Sequence, residues 1–394
     1  MTATLATFNG YISNGTSGTA GTILTVTGGI TGTITVGMAI QTSGLAITAN
    51  THILAFISGT GGAGTYTVSI SQAKGTVSTP LTITGTTASV ILAADYNYIQ
   101  NITSSVIGTG SGTYGYGVAL NATSPVTAGT QPTAVQWNNL RTDLINAYTH
   151  QGSTGSLTIP PVQAAKSSIN AIDFNHYLIL ANSIYANALT VAASGQTSLV
   201  NLQSGSQGLY TSQWRNSVTH SITLQWSSNS LLRGFFNAGG QLRFSASLTG
   251  YLSSDPGYAK DQDWNTLLSS IGTITMNYNS LTCSGSSTSI TSTAGFFNLP
   301  TGSTNIFNKT TSSPTYTPNQ YDIYAYLNGS SSTATQIIIS IQFQDNSTTS
   351  GHGTYGIDEY VTGSLQSTLY AYYASGSYIQ TTLPTFATNT ISGS

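Results

Sequence analysis

The stretch from Gly108 to Gly155, GTGSGTYGYGVALNATSPVTAGTQPTAVQWNNLRTDLINAYTHQGSTG, decides how the rest of the chain is read. Its second half carries the clearest helix signal in a sequence otherwise made of strands and turns. Thr133 is placed to cap that helix by accepting hydrogen bonds from first-turn amides. Trp137, Leu140, Leu144, Ala147 and Tyr148 recur at three- and four-residue spacing and so share one face. Asn138, Asn139, Arg141, Thr142 and Asp143 fall largely on the other, and Gly152 follows as a stop. The lead-in, GTGSGTYGYG, suits a tight or closely approached backbone, because glycine carries no Cβ.

Outward from that helix, composition sets the limits. The chain has 394 residues, enough for two or three domains that each bury a core. Charged residues are only 5% of it, against about a quarter in ordinary soluble domains. Eight basic and ten acidic groups give a net charge of −2, so no basic footprint for nucleic acid exists. Ser, Thr, Gly and Asn do the solubilising. Such a surface carries little long-range repulsion, which favours association, and the composition reads as that of a protein in an assembly or of a surface β protein. The single cysteine, Cys283, excludes an intrachain disulfide. The start, MTATLATFNG, does not read as a signal peptide, and no apolar run is long enough to span a membrane. Aromatic residues at core-like spacing (23 Tyr, 11 Phe, 4 Trp) argue against disorder.

Residues 1–88 read as a small Gly/Thr-rich β module. GTILTVTGG, GTITVGMAIQT, THILAFISGT and GTYTVSISQ alternate apolar and polar positions between glycines. GTGGAG, 59–64, is placed as a hairpin loop. Residues 89–194 read as a helical attachment or self-association region. In its first helix Ile99, Ile102 and Val106 share a face; in its last, Phe174, Tyr177, Leu178, Ala181, Ile184 and Tyr185 form a wider stripe. Both begin with Ala-x-Asp-(Tyr/Phe)-Asn, at Ala93–Asn97 and Ala171–Asn175, which puts an acid in the first turn. Such a helical triplet packs on itself or lines an oligomer axis. Residues 195–394 read as a β-sandwich-like domain with two short helices, SNSLLRGFFNAGG and DQDWNTLLSSIG. The expected fold is therefore mainly β, with antiparallel sheets.

Candidates for chemistry are few. His52, His150, His176, His220 and His352 are scattered, with no HExxH or CxxC, so no metal site is expected. His150 suits the end of the Trp137 helix and His176 the inside of its own helix. Asp261 and Asp263 read as caps of the helix around Trp264. Asp358 and Glu359 form the other close pair, and a spatial pair such as Asp322 with Glu359 stays open. No GxSxG motif marks a nucleophile. No catalytic residue and no cofactor are therefore assigned. Tyr370, Tyr372 and Tyr373, with Tyr378 beyond, are candidates for a glycan-stacking platform, although Leu369, Ala371 and Tyr373 alternating with Tyr370 and Tyr372 also fit a two-sided strand.

The segments GTGSGTYGYG…VTAGTQPTAVQWNNLRTDLINAYTHQ, SLLRGFFNAGGQLRFSASLTG and KDQDWNTLLSSIGTITM resemble virion structural proteins of tailed bacteriophages, especially large contractile-tailed phages of aquatic bacteria, cyanobacteria included. The resemblance covers roughly residues 90–280, and the N-terminal module is similar to small modules of tail and fibre proteins. It implies a non-enzymatic virion component, and the absence of a signal-peptide pattern and of an apolar span fits synthesis in a host cytoplasm. It leaves open a place in baseplate, fibre, neck or capsid surface, and transfers no catalytic residue. The partners it implies are further copies of the chain and other virion proteins. A trimer is the common fibre solution, although no long heptad run supports a coiled coil. Trp137, Leu140, Leu144, Tyr148, Phe174 and Tyr177 are the expected interface or core face of the helices. The alternatives are a capsid decoration or head-fibre protein, and an adhesin that binds host surface glycans through its tyrosines.

Overall fold

The computed structural model describes residues 4–14, 20–42, 47–48, 51–72, 81–86, 93–152, 171–192, 198–254, 258–347 and 360–394. Among these, eighteen strands form three antiparallel sheets, accompanied by five α-helices. The chain divides into two compact units, one of Met1–Gly108 with Ala119–Asn187, the other of Thr109–Val118 with Ala188–Ser394. The Gly-rich lead-in thus belongs to the second unit although both of its neighbours in sequence belong to the first.

The first unit opens with β1 (Thr4–Ser13), β2 (Gly21–Gly32), β3 (Ala39–Thr42), β4 (Ile53–Phe56), β5 (Gly64–Gln72) and β6 (Leu81–Thr86). They pair in the order β3-β6-β1-β2-β5-β4. In β2 the alternation works as the sequence implies: Leu24 and Val26 are buried, whereas Ile23 and Thr25 are only partly so. Phe8, Leu24, Ile34, Ile53 and Tyr66 are fully covered in the core of this sheet. Two details differ from the sequence reading. The run 32–42 is not one strand, because Gly37 takes φ 82° in a turn and only Ala39–Thr42 is extended. Strands β1 and β6 go unmarked in the sequence because glycine interrupts a short alternation, at Gly10 among the buried Ala6, Phe8 and Ile12 and at Gly85 after the buried Ile83. The 59–64 loop does join the antiparallel pair β4 and β5.

Three helices complete this unit: α1 (Ala93–Ile107), α2 (Ala134–His150) and α3 (Ala171–Ala186). Thr133 closes a reciprocal capping box with Gln136, whose backbone amide donates to Thr133 Oγ1 at 3.2 Å while Thr133 N donates to Gln136 Oε1 at 2.8 Å. Gly152, at φ 72°, lies just past the C-cap Gln151. The buried Asp95 of α1 lies 3.5 Å from the buried His52 imidazole and ties the helix to the sheet.

The second unit contains β7 (Ser198–Asn201), β8 (Leu209–Tyr210), β9 (Ser217–Gln225), α4 (Asn229–Asn237), β10 (Gln241–Thr249), α5 (Tyr258–Ile271), β11 (Ile274–Met276), β12 (Leu281–Cys283), β13 (Ser289–Ile290), β14 (Thr304–Thr310), β15 (Gln320–Leu327), β16 (Gln336–Gln344), β17 (Ser364–Tyr373) and β18 (Thr385–Gly393). One sheet runs β12-β11-β10-β17-β7, with β8 also on β17; the other runs β13-β14-β15-β16-β9-β18. Inward residues of both sheets meet in one core, Leu242, Phe244 and Leu369 from the first with Ile222, Ile323 and Ile339 from the second. This is a sandwich-like arrangement. Phe235 and Phe236 of α4 and Trp264 and Leu268 of α5 enter the same core.

Ser228 caps α4 through Leu231 N at 3.3 Å. Helix α5 starts at Tyr258, earlier than the sequence suggested, so Asp261 and Asp263 do not cap it. Asp261 instead accepts from Thr362 N and Thr362 Oγ1, and Asp263 accepts from Thr311 Oγ1 at 2.6 Å.

Candidate functional site

Helix periodicity brings the candidate residues of the first unit together, and it turns them inward. Trp137 sits between two rings, edge-on to Tyr96 at 5.0 Å and to Tyr177 at 4.9 Å. Each such pair adds about 0.5–1.5 kcal/mol beyond burial. The Tyr96 hydroxyl donates to Gln136 O and the Tyr177 hydroxyl to Trp137 O, both at 3.3 Å. Burial, with the Asp143 charge adding to it, pushes the Tyr96 hydroxyl up to about 12. Leu140, Leu144, Phe174 and Tyr177 are equally covered, whereas Tyr148 is half-buried. Asp143, on the supposedly polar face, is buried too. It accepts from Asn121 N, Asn121 Nδ2 and Ala122 N at 3.0, 2.7 and 2.8 Å and so fixes the loop before α2. The helices pack on themselves, and these side chains form their shared core.

The tyrosines of the second unit lie on β17, at the centre of its sheet. Pleating sends Leu369 and Ala371 into the core and Tyr370 and Tyr372 to the opposite face. Tyr373 packs against the core and does not join them. Register supplies what sequence did not reveal: Arg243 lies opposite Tyr370, and Gln241 opposite Tyr372. The Arg243 guanidinium stands 3.7 Å from the Tyr372 ring centre, within cation–π range, and donates through Nε and Nη2 to Gln241 Oε1 at 3.0 and 2.8 Å. The alternation of QLRFSAS marks Gln241 and Arg243 as outward-facing. The cross-strand partner that they meet depends on the pairing of strands more than 120 residues apart.

Two buried polar groupings carry residue types used in catalysis. Between the sheets, His220 Nδ1 is 2.9 Å from Ser367 Oγ and His220 Nε2 is 2.7 Å from Asn389 Oδ1. With Asn389 Oδ1 accepting, the proton sits on Nε2 and Ser367 donates to Nδ1. Burial pulls the His220 pKa below its usual value, which keeps the ring neutral. Ser367 and His220 are both fully covered, so the line braces β17 against β9 and β18. Gln203 adds to it, donating to Ser367 O at 3.1 Å and accepting from Leu369 N at 2.9 Å. The second grouping is the Lys260–Asp345 pair at 2.8 Å, both ends buried, with Ser347 Oγ also donating to Asp345.

Asp322 is buried and accepts from Asn305 and Asn308 at 2.7 and 2.9 Å. Glu359, Asp358 and His352 lie outside the described residues. Among the described residues no three His, Cys, Asp or Glu side chains gather as a metal site. No family model, curated protein or solved structure matches the chain.

Proposed function

We propose that this protein is a non-enzymatic structural component of a bacteriophage particle, associated with tail, baseplate or fibre, that acts in assembly and attachment. The observation that carries this reading is the use the fold makes of its few charges. Of the six acids with described side chains, Asp95, Asp143, Asp261, Asp322 and Asp345 are buried and Asp263 is half-buried. Arg233 and Lys260 are buried as well. These charges hold internal carbonyls, amides and hydroxyls in place. Among the described residues Arg215 alone of the charged side chains is exposed, with Arg141, Arg243 and Lys309 partly so, and a surface so weakly charged offers little electrostatic resistance to packing against copies of itself or against neighbouring proteins. The sequence resemblance to tailed-phage structural proteins adds the kind of assembly. Among the described residues no helix is long and apolar enough to cross a membrane.

A capsid decoration or head-fibre role rests on the same observation. The experiment is sedimentation velocity of the purified protein at low and high salt. Self-association that is unchanged between about 0.05 and 1 M NaCl supports packing through a neutral surface, because screening acts only on charges. A monomer at every concentration, or an oligomer that dissociates in salt, refutes it.

A glycan-binding adhesin remains the reading from a different class, favoured by Tyr370 and Tyr372 on one sheet face. In the structure one face of Tyr372 is occupied by Arg243, so a sugar that stacks there competes with the guanidinium.

A further inference from the structure

We infer that the second unit has a binding cleft for a neutral carbohydrate, built by α5 and the loop after β14 and separate from the tyrosines of β17. The cleft has a volume of about 520 Å³ and opens to solvent, within the roughly 300–1,000 Å³ typical of ligand sites. Helix α5 gives it Gln262, Asp263, Asn265 and Thr266, the loop gives Ser312, Ser313 and Tyr316, and Tyr251 closes one side.

Three features define what it takes. First, aromatic surface is present: the Tyr251 ring packs at a tilt against Tyr258, with centres 5.9 Å apart, and Tyr258 Oη in turn accepts from Gln262 Nε2 at 3.0 Å. A braced ring is a platform for the apolar C–H face of a sugar. Second, the polar lining is of amides, hydroxyls and one carboxylate, which together donate to and accept from alcohol groups. Third, among the described residues no Lys or Arg lines the cleft to match an anionic ligand, and Ala259 is the sole aliphatic side chain, too little for a lipid.

Asp263 sets a carboxylate in the wall of the cleft. Its Oδ1 accepts from Thr311 Oγ1 at 2.6 Å, which fixes the group, and a carboxylate oxygen keeps a further lone pair for an incoming hydroxyl. Burial, together with the nearby Asp345 charge, raises the Asp263 pKa against the lowering effect of Thr311.

The test is an array of neutral, amino and sialylated glycans probed with the full chain, followed by calorimetry with any glycan bound. The wild type is expected to bind at least one neutral glycan. Tyr251→Ala and Asp263→Asn weaken it on the order of tenfold or more, and Gln262→Ala, at an exposed position, weakens it without shifting the melting temperature. Tyr372→Ala leaves the affinity unchanged. Binding of no neutral glycan overturns the inference, as does preference for free amino sugars or affinity lost on Tyr372→Ala but kept on Tyr251→Ala. The inference stands apart from the virion reading: a sugar-binding protein absent from particles refutes only that reading, and a particle component blind to glycans refutes only the cleft.

Discussion

Arg233→Met isolates the contact by which the second unit holds its Gly-rich stretch, Thr109–Val118. Arg233 projects from α4 and is almost wholly covered. Its Nη2 donates to Thr109 O at 2.7 Å and Gly110 O at 3.2 Å, and its Nη1 to Gly112 O at 3.1 Å and Tyr114 O at 3.2 Å. Nε donates to Asn229 Oδ1 at 2.9 Å, which fixes the fork. Burial lowers the guanidinium pKa from its usual value, a desolvation cost that these carbonyls offset. Methionine keeps much of the stem volume and removes every donor. Thr109 and Gly112 are exposed, so water can replace the lost bonds there, whereas Gly110 and Tyr114 are partly covered. Two carbonyls left short at about 1–3 kcal/mol each give a loss of about 4 kcal/mol. For a unit of roughly 200 residues that lowers Tm by about 8–16 °C. Calorimetry reads the shift, and limited proteolysis reads cleavage between Thr109 and Val118, which should appear in the variant. A fall of less than about 2 °C with the loop still protected refutes the reasoning.

Other consequences follow from the same geometry. Gly234→Ala places a Cβ 2.3 Å from Tyr116 O and should cost about 1–3 kcal/mol by overpacking, read as a lower urea midpoint. Lys260→Met leaves Asp345 buried without its cation and should cost about 3–5 kcal/mol, while Lys260→Met combined with Asp345→Leu costs less than the sum of the two single changes, as a double-mutant cycle reads. Trp137→Ala removes the ring between Tyr96 and Tyr177 and should destabilise the first unit by about 3–5 kcal/mol, with loss of near-ultraviolet dichroism. His220 has a folded pKa below its unfolded value, so it is the unfolded chain that takes up the proton first. Its contribution is full above about pH 6.5 and is lost as pH falls below that value. Tm measured between pH 7 and 5 should drop less in His220→Gln than in the wild type.

What the sequence revealed was local. The 3.6-residue period of Trp137, Leu140, Leu144 and Ala147, the Thr133 cap and the strict alternation of QLRFSASL and TQIIISIQFQ each follow from short-range geometry and reappear as α2, β10 and β16. Strand β18, TFATNTISG, was missed because it is mostly exposed and polar; it is held by pairing with β9, more than 150 residues earlier. The same distance hid the stacking of Arg243 on Tyr372 and the joining of His220 to Ser367 and Asn389. The cleft could not be read for a related reason: Tyr251, Asp263 and Tyr316 come from three segments that only the packing of α5 brings together. The glycines of GTGSGTYGYG did announce a close approach, and Gly117 and Gly234 supply it, but α4 as the partner was not legible.

Immunogold electron microscopy of purified phage particles, with antibody raised against residues 198–394, tests the central claim most directly. The account predicts label on intact particles, concentrated at the tail end. Label spread over the head would contradict the tail assignment in favour of capsid decoration, and particles that carry no label would contradict the virion reading altogether.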